Sequence, residues 1–353
     1  MLELKNVTLI GIDCLDLERL QLACDISTQE ITFGSVKLLS SIKSDDARVI
    51  PIEKISSTEE YSLFMIKELD NYIDTDFAIV FQYDGFILNT NAWSSDFLKY
   101  DYIGAPWYHL GDLHVGNGGF SLRSKKLISW LSKNWQRVNV PLHPEDVFIS
   151  RFARPMLEKD GMVFADEMTA SHFSKEGNEH SVMWNGEFGF HGINYTDISH
   201  WKDVHQEYKR KLEYPLDDYC TLMRKYPIYD GTVHTFRFDK DNIKNYKKIS
   251  ENKKDYEIRT TREKHHDWST IKTGYTIIFK RSGVKFKDFP IPAFEKKVRG
   301  LEKFKNFSEL RRVHPKLQVT PDLHKISTVN RLIARFFPDK FCKESAEYTI
   351  FWF

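Results

Sequence analysis

Four short segments of this sequence carry side chains that can do chemistry together. The first is Gln82-Tyr83-Asp84-Gly85, which follows the apolar run Asp76–Phe81. A carboxylate beyond such a run is a hard oxygen ligand, of the kind that holds a divalent cation against a phosphate. An aspartate followed by glycine also makes an ordinary turn. The second segment is Gly116-Asn117-Gly118-Gly119-Phe120-Ser121. Its three glycines let the backbone approach a ligand closely, supply positive φ, or form a plain turn. The spacing is not that of a phosphate-binding GxxxxGK[ST] loop. Leu122-Arg123-Ser124-Lys125-Lys126 comes next and puts positive charge at a helix start, where it opposes the helix dipole unless an anion lies nearby.

The third segment is His143-Pro144-Glu145-Asp146, before an apolar helix. Acidic residues stabilise a first helical turn, and a carboxylate fixed there also suits a general base. The fourth is Glu187-Phe188-Gly189-Phe190-His191-Gly192. Its histidine is either a packed residue or a metal ligand, the latter if a carboxylate such as Asp84 joins it.

Several elements must position these groups. Asn6–Asp13 reads as a buried strand, Leu15–Cys24 as a helix, and Ser35–Ser40 and Arg48–Ile52 as further strands. Ser57 and Glu60 have capping-box spacing, and Tyr61, Phe64, Met65, Leu69 and Tyr72 continue a helix from there. The strand Asp76–Phe81 completes an α/β alternation, which predicts a mainly parallel, Rossmann-like sheet flanked by helices. Ligands of such sheets sit beyond the carboxyl ends of the strands, where Asp13 and Asp84 fall.

Beyond residue 200 the texture changes. Trp201–Tyr226, Glu295–Arg312 and Ser327–Phe337 read as helical, Tyr275–Phe279 as a strand, and Asp239–Lys264 as polar with exposed loop. A smaller, mostly helical C-terminal domain over 201–353 is therefore expected beside a domain spanning 1–200. Charge divides at the same place. Residues 1–200 carry 17 Lys+Arg against 29 Asp+Glu, and residues 201–353 carry 34 against 21, within a chain of net charge +1. The basic half suits an acceptor, an anionic membrane surface or a protein partner. No DNA- or RNA-binding motif is present, so nucleic acid is not the expected partner. In His265-His266-Asp267 the adjacent histidines point apart on a strand or a helix, which argues against a metal site.

The chain has 41% hydrophobic and 14% aromatic residues, enough for a sizeable core. No apolar run approaches the roughly 18–20 residues that span a bilayer, and the N-terminus lacks a signal-peptide pattern. The cysteines Cys14, Cys24, Cys220 and Cys342 are widely spread. Reduced thiols and a cytoplasmic location, with peripheral membrane contact as one option, are the expectation.

In order, the motifs resemble those of GT-A-type nucleotide-sugar glycosyltransferases, and specifically an uncharacterised family of putative members. The matching strings are Phe64–Leu69, Asp84–Phe86, Tyr100–Trp107, Val115–Ser124, His143–Val147 and Phe188–Gly192, and the resemblance covers roughly residues 5–195. It implies transfer of a hexosyl or pentosyl group from a nucleoside-diphosphate donor to a hydroxyl of a glycan, glycoprotein or glycolipid, with inversion. It also implies Mn²⁺ or Mg²⁺ held by Asp84 and His191, Asp146 as base, and Glu145 holding acceptor or sugar hydroxyls. Asp13, Lys67, Gln82, Tyr83, Asp84, Asn117, Gly118 and Gly119 would then line the donor site. Trp107, Tyr108 and Trp184 are either apolar platforms for sugar faces or packing residues. Asp13 contacts the base or ribose, or makes a plain turn. One departure stands out: Gln82 occupies the position of the first aspartate of the D-x-D motif, where it acts through water or binds the ribose. A non-catalytic nucleotide-sugar or glycan-binding module and a nucleotidyltransferase remain alternatives.

Overall fold

The computed structural model describes residues 1–107, 114–178, 181–214, 216–226, 231–239, 242–263, 266–282, 288–317 and 346–353. The chain divides into two compact units, Met1–Cys220 and Thr221–Phe353.

The first unit is built on β1 (Leu2–Ile12), α1 (Leu17–Thr28), β2 (Ile31–Ser40), β3 (Val49–Pro51), α2 (Thr58–Lys67) and β4 (Phe77–Phe81). After these come β5 (Tyr102–Gly104), β6 (Ser121–Ser124) and α3 (Lys125–Asn134). The order across the sheet is β3-β2-β1-β4-β6-β5. The first four strands are parallel, and β6 pairs antiparallel with both β4 and β5. This is the mainly parallel α/β sheet that the sequence predicts.

Period-two alternation divides each central strand between two cores. Leu9, Leu38, Ile79 and Phe81 pack with Leu20, Ala23 and Cys24 of α1. Ile10, Leu39, Ala78 and Val80 pack with Met65 of α2 and Ile128 of α3. Full burial of each large aliphatic or aromatic side chain stabilises by roughly 1.5–3 kcal/mol. Ser57 caps α2 by accepting from Glu60 N–H at 3.1 Å. The Glu60 carboxylate accepts instead from Ser56 N–H at 2.7 Å, one residue before the reciprocal capping-box position.

The unit continues with α4 (Glu145–Val147), a π-helical turn over Phe148–Ala153, α5 (Arg154–Lys159), α6 (Glu167–Phe173), β7 (Ser174–Glu176) and β8 (Gly189–His191). β7 and β8 form a parallel pair. The short helices α7 (Ser199–Val204), α8 (Gln206–Lys209) and α9 (Asp218–Met223) replace the longer helical stretch expected over Trp201–Tyr226. Cys14, Cys24 and Cys220 are buried free thiols.

The second unit corrects the expectation of a mostly helical domain. Its described strands are β9 (Val233–Phe238), β10 (Tyr256–Thr260), β11 (Arg262–Glu263), β12 (His266–Asp267), β13 (Thr276–Arg281), β14 (Phe294–Lys297), β15 (Gly300–Phe304) and β16 (Tyr348–Trp352). Among the described residues its helices are the end of α9, α10 (Ile243–Ser250) and α11 (Phe307–Val313), besides a 3₁₀ turn. Glu295–Arg312, expected as an amphipathic basic helix, is helical only at its end, in α11. The rest of the segment pairs in two sheets, β14 with β13 and β15 with β16, so cross-strand pairing prevails there. Ser327–Phe337 and Cys342 lie outside the described residues. An aromatic core of Phe236, Phe238, Tyr246, Phe279 and Phe351 fills this unit. Among the described residues no helix is long and apolar enough to cross a membrane.

Candidate functional site

β4 ends in a tight turn in which Gln82 and Gly85 exchange backbone hydrogen bonds of 2.9 and 3.1 Å. The turn presents Gln82 and Asp84 to His191, the last residue of β8. His191 Nε2 lies 3.2 Å from Gln82 Oε1 and 3.8 Å from Asp84 Oδ1. Gln82 is oriented by donating its amide to Tyr61 Oη at 3.0 Å. Asp84 Oδ1 is buried and has no hydrogen-bond partner among the described residues.

The opposite edge of the imidazole meets a residue that the sequence analysis did not single out. In the β7–β8 ladder Glu176 is the register partner of His191. Glu176 Oε1 lies 3.1 Å from His191 Nδ1 and accepts from Asn117 Nδ2 at 3.0 Å, while its Oε2 accepts from Trp107 Nε1 at 2.8 Å. Burial pulls the His191 pKa down, but the hydrogen bond its ring donates to Glu176 and the charges of Asp84, Glu176 and Asp146 outweigh it. The result is a rise from 6.5 to about 9. Glu176 stands outside every motif, and only the pairing of two three-residue strands brings it here. The local sequence therefore gives no signal for it.

The glycine loop separates this cluster from the paired acids. Asn117 Oδ1 accepts from Gly119 and Phe120 N–H at 3.1 and 3.3 Å, which locks the loop. Gly118 N–H donates to Asp146 Oδ2 at 3.2 Å, and Val147 N–H donates to Asp146 Oδ1 at 2.8 Å. A Cβ on Gly118 would come within 2.7 Å of Glu145 Oε1, and one on Gly119 within 2.0 Å of His191 Nε2. The glycines thus serve close approach to the protein's own side chains, and neither has positive φ.

Burial, then the neighbouring Glu145 charge, pushes the Asp146 carboxyl from 3.8 to about 6. Glu145 is itself buried and pairs with the fully buried Arg123 at 3.3 Å. The Arg123 guanidinium also donates to the Gly118 carbonyl at 3.2 Å. Arg123 belongs to β6, not to the helix start, and its position in a strand buried on both faces hides it from a reading of periodicity. The two lysines of α3 are engaged elsewhere: Lys125 with Asp70 at 2.8 Å and Lys126 with the Gly161 carbonyl at 2.6 Å.

The remaining sequence candidates are placed as follows. Asp13 is buried and accepts from Leu15 and Asp16 N–H at 2.8 and 3.0 Å and from Arg19 Nε at 2.9 Å, so it organises the start of α1. Arg19 in turn lies 3.5 Å over the Tyr83 ring. Lys67, at the far end of α2 from Tyr61, sits 4.0 Å over the Trp135 ring. Trp107 is 8% exposed and joins the His191 cluster through Glu176. Trp184 packs against the main core and donates to the Glu187 carbonyl at 3.1 Å. Tyr108 and His265 lie outside the described residues, as do the side chains of His266 and Asp267.

A family model matches the segment that carries the site. It describes a protein of unknown function (DUF5672) and covers residues 46–191. That span holds Gln82, Asp84, Asn117, Glu145, Asp146 and Glu176, and it ends on His191. No curated protein matches the chain. Among solved structures, the apo form of the glycosyltransferase GlyE from Streptococcus pneumoniae TIGR4 is similar at 10% identity and a TM-score of 0.34, over 67% of this chain and 69% of that one. A glycosyltransferase involved in glycosylation of the major capsid of PBCV-1 is similar at 10% identity and a TM-score of 0.32, over 57% and 98%. The mannosyltransferase PcManGT from Pyrobaculum calidifontis, in complex with GDP-Man and Mn²⁺, is similar at 10% identity and a TM-score of 0.31, over 45% and 53%.

Proposed function

We propose that the first unit is a metal-dependent, inverting glycosyltransferase. It would move a hexosyl or pentosyl group from a nucleoside-diphosphate donor to a hydroxyl of a glycan, glycoprotein or glycolipid. One observation carries the reading. Asp84 Oδ1 is a buried carboxylate oxygen without a hydrogen-bond partner among the described residues, 3.8 Å from His191 Nε2. Leaving such an atom unpaired costs about 1–3 kcal/mol, which a cation offsets. One imidazole and one carboxylate, with the Gln82 amide oxygen beside them, form a donor set that fits Mn²⁺ or Mg²⁺. Among the described residues no group of three His, Cys, Asp or Glu side chains surrounds one point, so substrate oxygens would have to complete the shell.

Asp84 and His191 would hold the cation, which when bound supplies positive charge to the departing diphosphate. Asp146 does the proton chemistry. Its oxygens are fixed by the Val147 and Gly118 N–H groups, and its raised pKa suits a group that takes the acceptor proton near neutrality. Direct attack assisted by this base inverts the anomeric carbon. Glu145 is tied to Arg123, and its charge tunes Asp146. Gly118 and Gly119 keep the loop thin between base and metal ligands. The second unit, with the basic half of the sequence, is proposed to contact the acceptor, an anionic membrane surface or a protein partner.

Thermal-shift titration with nucleotide sugars tests this reading. Stabilisation by one donor only when Mn²⁺ or Mg²⁺ is present, together with release of its nucleoside diphosphate, supports it; a ligand at 100 times its Kd adds about 2.7 kcal/mol. The substitution of glutamine for the first D-x-D aspartate favours a second reading, a binding module without turnover. Tight donor binding that Asp146→Asn leaves unchanged, with no release on any acceptor, would select it.

A further inference from the structure

The Glu176 carboxylate joins three elements at one point: β8 through His191, the glycine loop through Asn117, and the end of the segment after β5 through Trp107. We infer that Glu176 is the positioning residue for His191. It holds the proton on Nδ1, so that Nε2 is the nitrogen presented to Asp84 and to a divalent cation. The inference rests on the proposed function for the identity of that cation, but not for the orientation of the ring.

Geometry first excludes Glu176 as a ligand of the same ion. It meets the ring at Nδ1, whereas Asp84 and Gln82 lie at Nε2, on the other edge of the imidazole. The second point is a competition between acceptors. A neutral imidazole carries one N–H. Nδ1 faces the charged Glu176 carboxylate at 3.1 Å and Asn117 Nδ2 at 3.0 Å, the latter donating to that same carboxylate at 3.0 Å; Nε2 faces the neutral Gln82 amide oxygen at 3.2 Å, with Asp84 Oδ1 beyond hydrogen-bond distance at 3.8 Å. A hydrogen bond to an ionised acceptor is roughly twice as strong as a neutral one. The carboxylate therefore keeps the proton, and Nε2 is left with its lone pair.

The carboxylate is itself fixed. Trp107 Nε1 occupies Oε2, Asn117 Nδ2 shares Oε1, and ladder pairing sets the backbone register with His191. A carboxylate orienting a ligating histidine in this way typically governs metal affinity by about 10–100-fold.

The test has two arms on the full chain. The first needs no metal: two-bond ¹H–¹⁵N spectra of ¹⁵N-histidine-labelled protein, at a pH where the ring is neutral, with the His191 signals assigned by their absence in His191→Gln. The expected result is a proton on Nδ1 in the wild type, shifting toward Nε2 in Glu176→Gln. A wild-type proton on Nε2 overturns the inference whatever the variants do. The second arm titrates Mn²⁺ by EPR. Glu176→Gln is expected to weaken binding by about 10–100-fold. Trp107→Phe, which removes one hydrogen bond to Glu176 and leaves the Glu176 and His191 side chains in place, should keep affinity within about threefold. Equal losses in the two variants, or wild-type affinity in Glu176→Gln, overturn the positioning role. A wild type that binds no Mn²⁺ overturns the metal reading, while the tautomer result still judges Glu176.

Discussion

Asp84 Oδ1 stands 3.8 Å from His191 Nε2 and, unlike Gln82 Oε1 and Glu176 Oε1 around the same ring, makes no hydrogen bond among the described residues. Asp84 sits in the turn just after β4, and His191 is the last residue of β8, a strand of a different sheet. Their approach leaves a carboxylate oxygen dry and unsatisfied, which a fold retains only at some cost.

That cost makes the first prediction. In Asp84→Asn, lost attraction to His191 and relief of the orphan oxygen oppose each other. The unfolding free energy of the metal-free protein should therefore change by less than about 1 kcal/mol. Stabilisation by Mn²⁺ should vanish. Chemical denaturation with and without metal checks both.

The second prediction concerns Asp146. Its carboxyl is pushed up from 3.8 to about 6 by burial and then by Glu145, and a base works only when ionised. The transfer rate should rise with pH and level off above about 6. The sign for stability is the reverse. A raised carboxyl pKa means that the fold favours the protonated form, so this group's contribution is present below 3.8 and lost as pH rises through about 6. Asp146→Asn should abolish nucleoside-diphosphate release by about 10²–10⁴-fold. It should also melt higher than wild type above pH 6 and no higher below about 4.

His191 gives a third, with its own window. Burial lowers its pKa, but Glu176 and the surrounding acids raise it to about 9 against 6.5 unfolded. The stability it adds is complete below 6.5 and is lost as pH rises through 9. The Tm deficit of His191→Gln should be largest in acid and shrink toward pH 9. Because a ligand must be neutral, Mn²⁺ binding at pH 7.5 should release about one proton. Calorimetry in two buffers of different ionisation enthalpy measures that release.

Gly119 makes a steric prediction. An added methyl would fall 2.0 Å from His191 Nε2, so in Gly119→Ala the ring must leave its place. Overpacking of this kind costs about 1–3 kcal/mol. The variant should lose Mn²⁺ affinity by a larger factor than Gly118→Ala, whose new methyl meets Glu145 and Asp146 instead.

A fifth follows from the Arg123–Glu145 pair, at 3.3 Å and with the arginine fully buried. Removing one partner leaves a buried charge alone. Arg123→Met should destabilise by about 3–5 kcal/mol. Adding Glu145→Leu should recover a good part of that loss in denaturant melts, without restoring transfer.

The sequence by itself determined the α/β sheet, since continuous apolar runs alternating with a capped amphipathic helix admit few other solutions. It also placed Asp84 at a strand's carboxyl end and put the Asn117–Gly119 loop, Glu145–Asp146 and His191 in order, because each is a local motif with its own turn or helix-start chemistry. Tertiary structure alone decided which partners those residues have. Glu176 reaches His191 only because two short strands pair in parallel, and Arg123 reaches Glu145 only because β6 is buried on both faces. Lys67 is carried along α2 to Trp135, and β14 and β15 take the place of an expected helix in the second unit. The physical reason is the same in each case. Periodicity and capping are set by neighbours along the chain, whereas a buried ion pair, a histidine's orientation and a strand's pairing depend on groups tens of residues away.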